Sequence, residues 1–93
     1  MKVIAIDDEP IALNIIERYC ERRGGIVLET YNKPRMGMQR IREWLPDIVL
    51  LDIEMNGTSG IELARQLPLS CCLIFTTAYA HYALDGFEVN AVD

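Results

Sequence analysis

Ile48-Val49-Leu50-Leu51-Asp52 is the stretch that decides the fold. Four apolar residues in a row, with no polar alternation, suit a strand buried on both faces, and the run is too short for a helix. It is therefore expected at the centre of a parallel sheet, with Asp52 at its carboxyl end. The same signature stands at the start of the chain, where Val3-Ile4-Ala5-Ile6 runs straight into Asp7-Asp8-Glu9. Between the two, Pro10 suits a first helical turn, and Ile11, Ile15, Ile16, Tyr19 and Cys20 recur at helical spacing until Gly24-Gly25 stops the helix. Ile26-Val27-Leu28 is expected as a second strand and Tyr31 to Pro34 as a polar turn. Met38, Ile41, Trp44 and Leu45 trace one face of a second helix, closed by Pro46.

On the other side of the central run, Gly57 and Gly60 mark a loop. Ser59 and Glu62 stand in S-x-x-E capping-box register before Ile61, Leu63, Ala64 and Leu67, and Pro68 ends this third helix. Cys71 to Phe75 reads as a fourth strand with Thr76-Thr77 at its end, Tyr79 to Phe87 as a short fourth helix, and Val89, Ala91 and Val92 as the opening of a fifth strand. Strands alternating with helices in this way, without a repeat or a linker, imply an α/β, doubly wound parallel sheet with right-handed crossovers. In such sheets the working crevice lies beyond the carboxyl ends of the strands.

The 93 residues make one domain, and a 51% apolar share supports a globular core. Nine basic against 14 acidic side chains, a net charge of -5, argues against binding a nucleic-acid backbone by charge, so DNA binding would have to sit elsewhere. No apolar run approaches the roughly 20 residues of a membrane helix. The apolar start meets Asp7 too soon for a signal peptide, so a soluble, cytoplasmic protein is expected. Cys20, Cys71 and Cys72 lack metal-ligand spacing and read as reduced, buried thiols.

Asp7, Asp8, Asp52 and Thr77 all fall at the carboxyl ends of expected strands, so the sheet would gather them at one edge. Two carboxylates about 4 to 5 Å apart repel by roughly 3 to 4 kcal/mol at an effective dielectric near 20. Such a cluster must hold a proton or bind a cation. All-oxygen ligation without His or Cys suits Mg2+ as the cofactor. The plainer reading makes Asp7 and Asp8 caps of the first helix and Asp52 a turn residue. Against it stands the coincidence of three strand-end carboxylates with a strand-end hydroxyl and the small Ala78, a combination that points to phosphoryl transfer.

Ile6-Asp7-Asp8-Glu9-Pro10, Leu50-Leu51-Asp52-Ile53-Glu54-Met55 with Gly57 and Gly60, and Phe75-Thr76-Thr77-Ala78 resemble the receiver domain of two-component response regulators. Ala78-Tyr79-Ala80-His81-Tyr82-Ala83-Leu84, with Phe87-Glu88-Val89 and Ala91-Val92-Asp93, most resembles the LytTR-type (LytR/AlgR-like) subgroup, and the likeness spans essentially the whole chain. It implies a flavodoxin-like sheet of order 2-1-3-4-5 with the fifth β-α unit incomplete. It also implies that residues 1–93 are a receiver domain, truncated at its C-terminus and lacking its DNA-binding output domain.

Asp52 would then take a phosphoryl group from the phosphohistidine of a sensor histidine kinase, as a signalling switch rather than a conventional turnover enzyme. Asp8 and Asp52 would ligate Mg2+ through side chains, Glu54 through its backbone carbonyl and Asp7 mainly through water. Thr77 would turn its hydroxyl onto the phosphoryl oxygens.

Two departures from the family pattern stand out. Asn56 replaces the usual proline after Met55, and the family's strand-five aromatic and lysine would fall beyond Asp93. Neither Lys2 nor Lys33 lies at a strand's carboxyl end on this reading, so neither is expected to stand in for that lysine. An uncovered fourth-strand edge makes self-association expected. The alternative function is a receiver-like interaction module without phosphoryl chemistry. A Mg2+-dependent hydrolase with an aspartyl-phosphate intermediate fits less well, because its D-x-D arrangement is missing. His81 is assigned no role, Trp44 is packing, and Arg35, Arg40 and Arg42 form a solvated helix face. Tyr79, Tyr82 and Phe87 form either a partner surface or ordinary packing.

Overall fold

Four short apolar segments become strands that all run in the same direction. They are β1 (Lys2–Ile6), β2 (Val27–Tyr31), β3 (Ile48–Asp52) and β6 (Cys72–Thr76), and they lie in the order β2-β1-β3-β6. The computed structural model describes residues 1–55 and 57–76. Helices α1 (Pro10–Arg23), α2 (Pro34–Trp44) and α3 (Gly60–Ala64) connect the strands, and β4 (Glu54–Met55) pairs antiparallel with β5 (Thr58–Ser59) in a small hairpin just past β3. The sheet order is that of the first four strands expected from the sequence. The expected fourth helix and fifth strand lie outside the described residues, as do Asn56, Thr77, Tyr79, His81, Tyr82 and Phe87.

β3 occupies an interior position and buries Val49 and Leu51 completely, as its unbroken apolar run requires. With Ile4 and Ile6 of β1, Met38 and Ile41 of α2, and Met55, they form the core. Each fully buried aliphatic side chain contributes roughly 1.5–3 kcal/mol. Register fixes the working edge: Ile6 stands beside both Tyr31 and Leu51, and Asp52 stands beside Thr76, so the carboxyl ends are level.

The structure corrects four local expectations. β2 begins at Val27 and continues to Tyr31 rather than turning there, because all five of its residues pair with β1. Its Glu29 is also held by Arg40, at 2.8 and 3.0 Å, and by the Tyr31 hydroxyl at 2.7 Å. Likewise β6 is shifted by one residue, to Cys72–Thr76. The third correction concerns α1, which turns Leu13 and Cys20 inward with Ile16 half-buried, while Ile11, Ile15 and Tyr19, four residues apart, face outward at 72%, 62% and 66% exposure. α3, finally, is only five residues long and has no capping box. Ser59 makes no side-chain cap, its backbone being committed to pairing with Glu54 in the hairpin. Leu67 lies in a following turn closed by Gln66 N–H to Leu63 O at 2.9 Å and by Leu67 N–H to Ala64 O at 3.2 Å.

All three cysteines are free, Cys20 buried and Cys71 and Cys72 half-buried. Among the described residues β6 is a terminal strand, and no helix is long and apolar enough to cross a membrane.

Candidate functional site

Asp7 follows directly on β1. Its N–H donates to the Tyr31 carbonyl at 3.1 Å, which joins the ends of β1 and β2, and its Oδ1 accepts the Glu9 N–H at 3.0 Å. The latter bond is the local turn that the capping alternative anticipated, although the residue at the N-cap of α1 is Glu9 and it offers no side-chain cap. Asp52 is the last residue of β3 and, like Asp7, it is buried, at 9% and 6% exposure. Asp8 is half-buried beside them. Asp7, Asp8 and Asp52 each offer a carboxylate oxygen, and these oxygens all lie within 4.8 Å of one another.

The electrostatics follow from that crowding. Burial is the main cause pushing Asp52 up to about 6, the negative charge of Asp7 adds to it, and the backbone N–H of Glu54 pulls the other way. Asp7 is also raised, again chiefly by burial, with the Glu9 N–H opposing and Asp8 adding. The crowded carboxylates thus oppose one another's ionisation, and a bound cation would relieve that repulsion. Small, hard, closely spaced oxygens at a partly open edge fit a hydrated Mg2+, which takes few carboxylates and keeps several waters.

Glu54 begins β4 two positions beyond Asp52, with its side chain exposed and its N–H on the Asp52 carboxylate. Gly60 closes the other side: its N–H donates to Ile53 O at 2.6 Å, and a Cβ there would come within 2.7 Å of Ile53 Cα and collide with the Asp52 carbonyl. Thr77 lies outside the described residues. Its neighbour Thr76 ends β6 opposite Asp52, and its buried hydroxyl has no hydrogen-bond partner among the described residues.

One feature escaped the reading of the sequence. A cleft of about 780 Å³ is lined by Asp8 of the acidic cluster together with Glu9, Glu54, Asn32 and Lys33. A second strand ending at Leu28 leaves Lys33 away from the sheet edge, but β2 runs to Tyr31 and puts Lys33 two residues past a carboxyl end. The β-forming pair Thr30-Tyr31 was the available signal.

The response regulator receiver domain profile matches residues 3–93. The chain belongs to that family. The receiver is 35% identical over 96 residues to an uncharacterized response regulatory protein of Vibrio vulnificus, a match covering 100% of this chain and 40% of that protein. It is 31% identical over 97 residues to the sensory transduction protein LytT of Bacillus cereus (100% and 39%). Identity is 37% over 97 residues to the positive alginate biosynthesis regulatory protein of Pseudomonas aeruginosa (99% and 39%). These relatives agree with the LytTR-type subgroup read from the sequence, and the receiver spans about two fifths of their length.

Among solved structures it resembles the response regulator TrrA of Thermotoga maritima, solved in complex with Mg(2+)-BeF. The identity is 29% and the TM-score 0.82, covering 97% of this chain and 80% of that one. The response regulatory domain of protein mrkE from Klebsiella pneumoniae, at 24% identity and TM-score 0.84, covers 100% and 80% and shares the fold.

Proposed function

We propose that residues 1–93 act as a phosphoacceptor receiver domain in which Asp52 takes a phosphoryl group from the phosphohistidine of a sensor histidine kinase. The observation that carries this reading is the buried Asp52 at the end of β3 with the Asp7 and Asp8 oxygens within 4.8 Å. In the transfer a carboxylate oxygen of Asp52 forms the new O–P bond as the P–N bond to the donor imidazole breaks, and the imidazole leaves with that electron pair. Asp8 and Asp52 would hold Mg2+ through their side chains, Glu54 through its backbone carbonyl and Asp7 through water. The ion, when bound, neutralises the charge on the two anionic reactants.

Asp7, held at its backbone by Tyr31 and at its carboxylate by Glu9, keeps the cluster in one arrangement. Thr77 is the hydroxyl that would accompany the phosphoryl oxygens, and the resulting rearrangement would control a DNA-binding output domain. The receiver would assist its own phosphorylation and dephosphorylation rather than turn over a separate substrate.

Incubation with Mg2+ and acetyl phosphate tests the reading. The expected result is a phosphorylated species on the parent and none on Asp52→Asn, read by intact mass; equal behaviour of the two proteins would sink it.

A further inference from the structure

Lys33 is the cation of the cleft. Among the described residues that line it, Asp8, Glu9 and Glu54 carry negative charge and Lys33 alone carries positive charge. The Lys33 side chain is exposed and makes no ion pair or hydrogen bond among the described residues, so its charge is not consumed by a neighbour. Its backbone, by contrast, is fixed. Lys33 is the N-cap of α2, in extended conformation, and its carbonyl accepts the Gly37 N–H at 3.2 Å.

The bond from Asp7 N–H to Tyr31 O ties the end of β2, two residues before Lys33, to the first residue of the acidic cluster. A lysine is a poor choice for this position on local grounds. An N-cap favours Ser, Thr, Asp or Asn, and a positive charge opposes the positive end of the helix dipole. α2 has neither a side-chain cap nor an acidic residue in its first turn. A positive charge kept where the helix itself disfavours it, on the wall of an acidic cleft, is a local conflict of the type found at functional sites.

We infer that Lys33 is a positioning residue for phosphoryl transfer: it draws the anionic phosphoryl group of the donor into the cleft and partly offsets the carboxylates that would repel it. The inference rests on the reading of Asp52 as phosphoacceptor. Its electrostatic signature is an opposition of two effects, because the charge that attracts the anion also weakens the hold of the cluster on Mg2+. A purely structural residue would move both affinities the same way.

The test compares the parent with Lys33→Gln and Lys33→Arg by calorimetry, titrating Mg2+ and then, at saturating Mg2+, beryllofluoride. At an ionic strength of about 0.01 M, where charges act over roughly 30 Å, Lys33→Gln is expected to bind Mg2+ about threefold more tightly and beryllofluoride about threefold more weakly. Lys33→Arg is expected to match the parent, and the differences are expected to fade above about 0.5 M salt. If both affinities of Lys33→Gln equal those of the parent, or both fall, the role of Lys33 is overturned while the phosphoacceptor reading stands. A parent that takes Mg2+ but no beryllofluoride, or neither, overturns the phosphoacceptor reading and this role with it.

Discussion

Gly60 sets its bare α-carbon against the backbone of Asp52, so close that the first atom of any side chain would strike the Asp52 carbonyl. The N–H of the same residue holds Ile53 O at 2.6 Å. The start of α3 is thereby docked on the end of β3, and Asp52 cannot shift unless Gly60 shifts too. The interfering atoms are backbone, which relaxes less readily than the tip of a side chain. Gly60→Ala is therefore expected to cost about 1–3 kcal/mol, as over-packing of a tight interior does, and to weaken Mg2+ binding by displacing the carboxylate. Urea denaturation and a Mg2+ titration check the two effects; an alanine variant as stable as the parent and with parental Mg2+ affinity would show that the contact is slack.

Burial and the neighbouring carboxylates raise Asp52 from 3.8 to about 6, and this gives the metal-free protein a defined pH response. Below 3.8 the carboxyl is protonated in both folded and unfolded chains and contributes nothing. As pH rises from there toward 6, the unfolded chain releases the proton first, so stability falls, and the penalty is complete above about 6, where it amounts to about 2–3 kcal/mol. Asp52→Asn removes that charge. Thermal melts without metal are expected to show the variant more stable than the parent at pH 7.5 and nearly equal to it near pH 4, whereas Mg2+ should raise the parent's melting temperature at pH 7.5 and leave the variant's almost unchanged. A parent that gains stability relative to Asp52→Asn between pH 4 and 7 would contradict the assignment.

Glu29 on β2 receives Arg40 from α2 in a two-pronged pair, and the guanidinium carbon of Arg40 also lies 5.2 Å from the centre of the Trp44 ring. The Arg40 hydrogen bonds, followed by that of Tyr31, hold the Glu29 carboxyl below its ordinary value. Its contribution is therefore present above about 4.5 and lost as pH falls below it. Glu29→Gln should lower the melting temperature at neutral pH and leave it unchanged in acid, with the difference shrinking in high salt. An equal loss at both pH values would point to packing instead.

The same pair explains where the sequence could be read and where it could not. Buried parallel strands announce themselves by composition alone, which is why β1 and β3, and with them Asp7, Asp8 and Asp52 at their ends, were legible. β2 was legible only as far as Leu28, because Glu29 interrupts the apolar run although Thr30 and Tyr31 favour a strand, and Arg40, which covers the Glu29 carboxylate, lies 11 positions away. That tertiary partner lets the strand continue to Tyr31, and with it changes the place of Lys33. The capping box failed for a related reason: Ser59 and Glu62 have the right spacing, but the hairpin claims the Ser59 backbone first.

Helix α1 carries the last prediction. Two apolar stripes run along it, and periodicity alone does not say which one meets the sheet. Leu13 is 7% exposed, whereas Ile15, two positions on, is 62% exposed. Truncating a buried leucine loses both transfer energy and packing, so Leu13→Ala is expected to cost about 2–5 kcal/mol. Ile15→Lys places a charge where water already is and should change stability by no more than about 0.5 kcal/mol. Chemical denaturation of the two variants side by side decides the face. If Ile15→Lys proves as damaging as Leu13→Ala, the outward stripe is covered by some other part of the protein, and Ile11 and Tyr19, on the same stripe, should then prove equally sensitive.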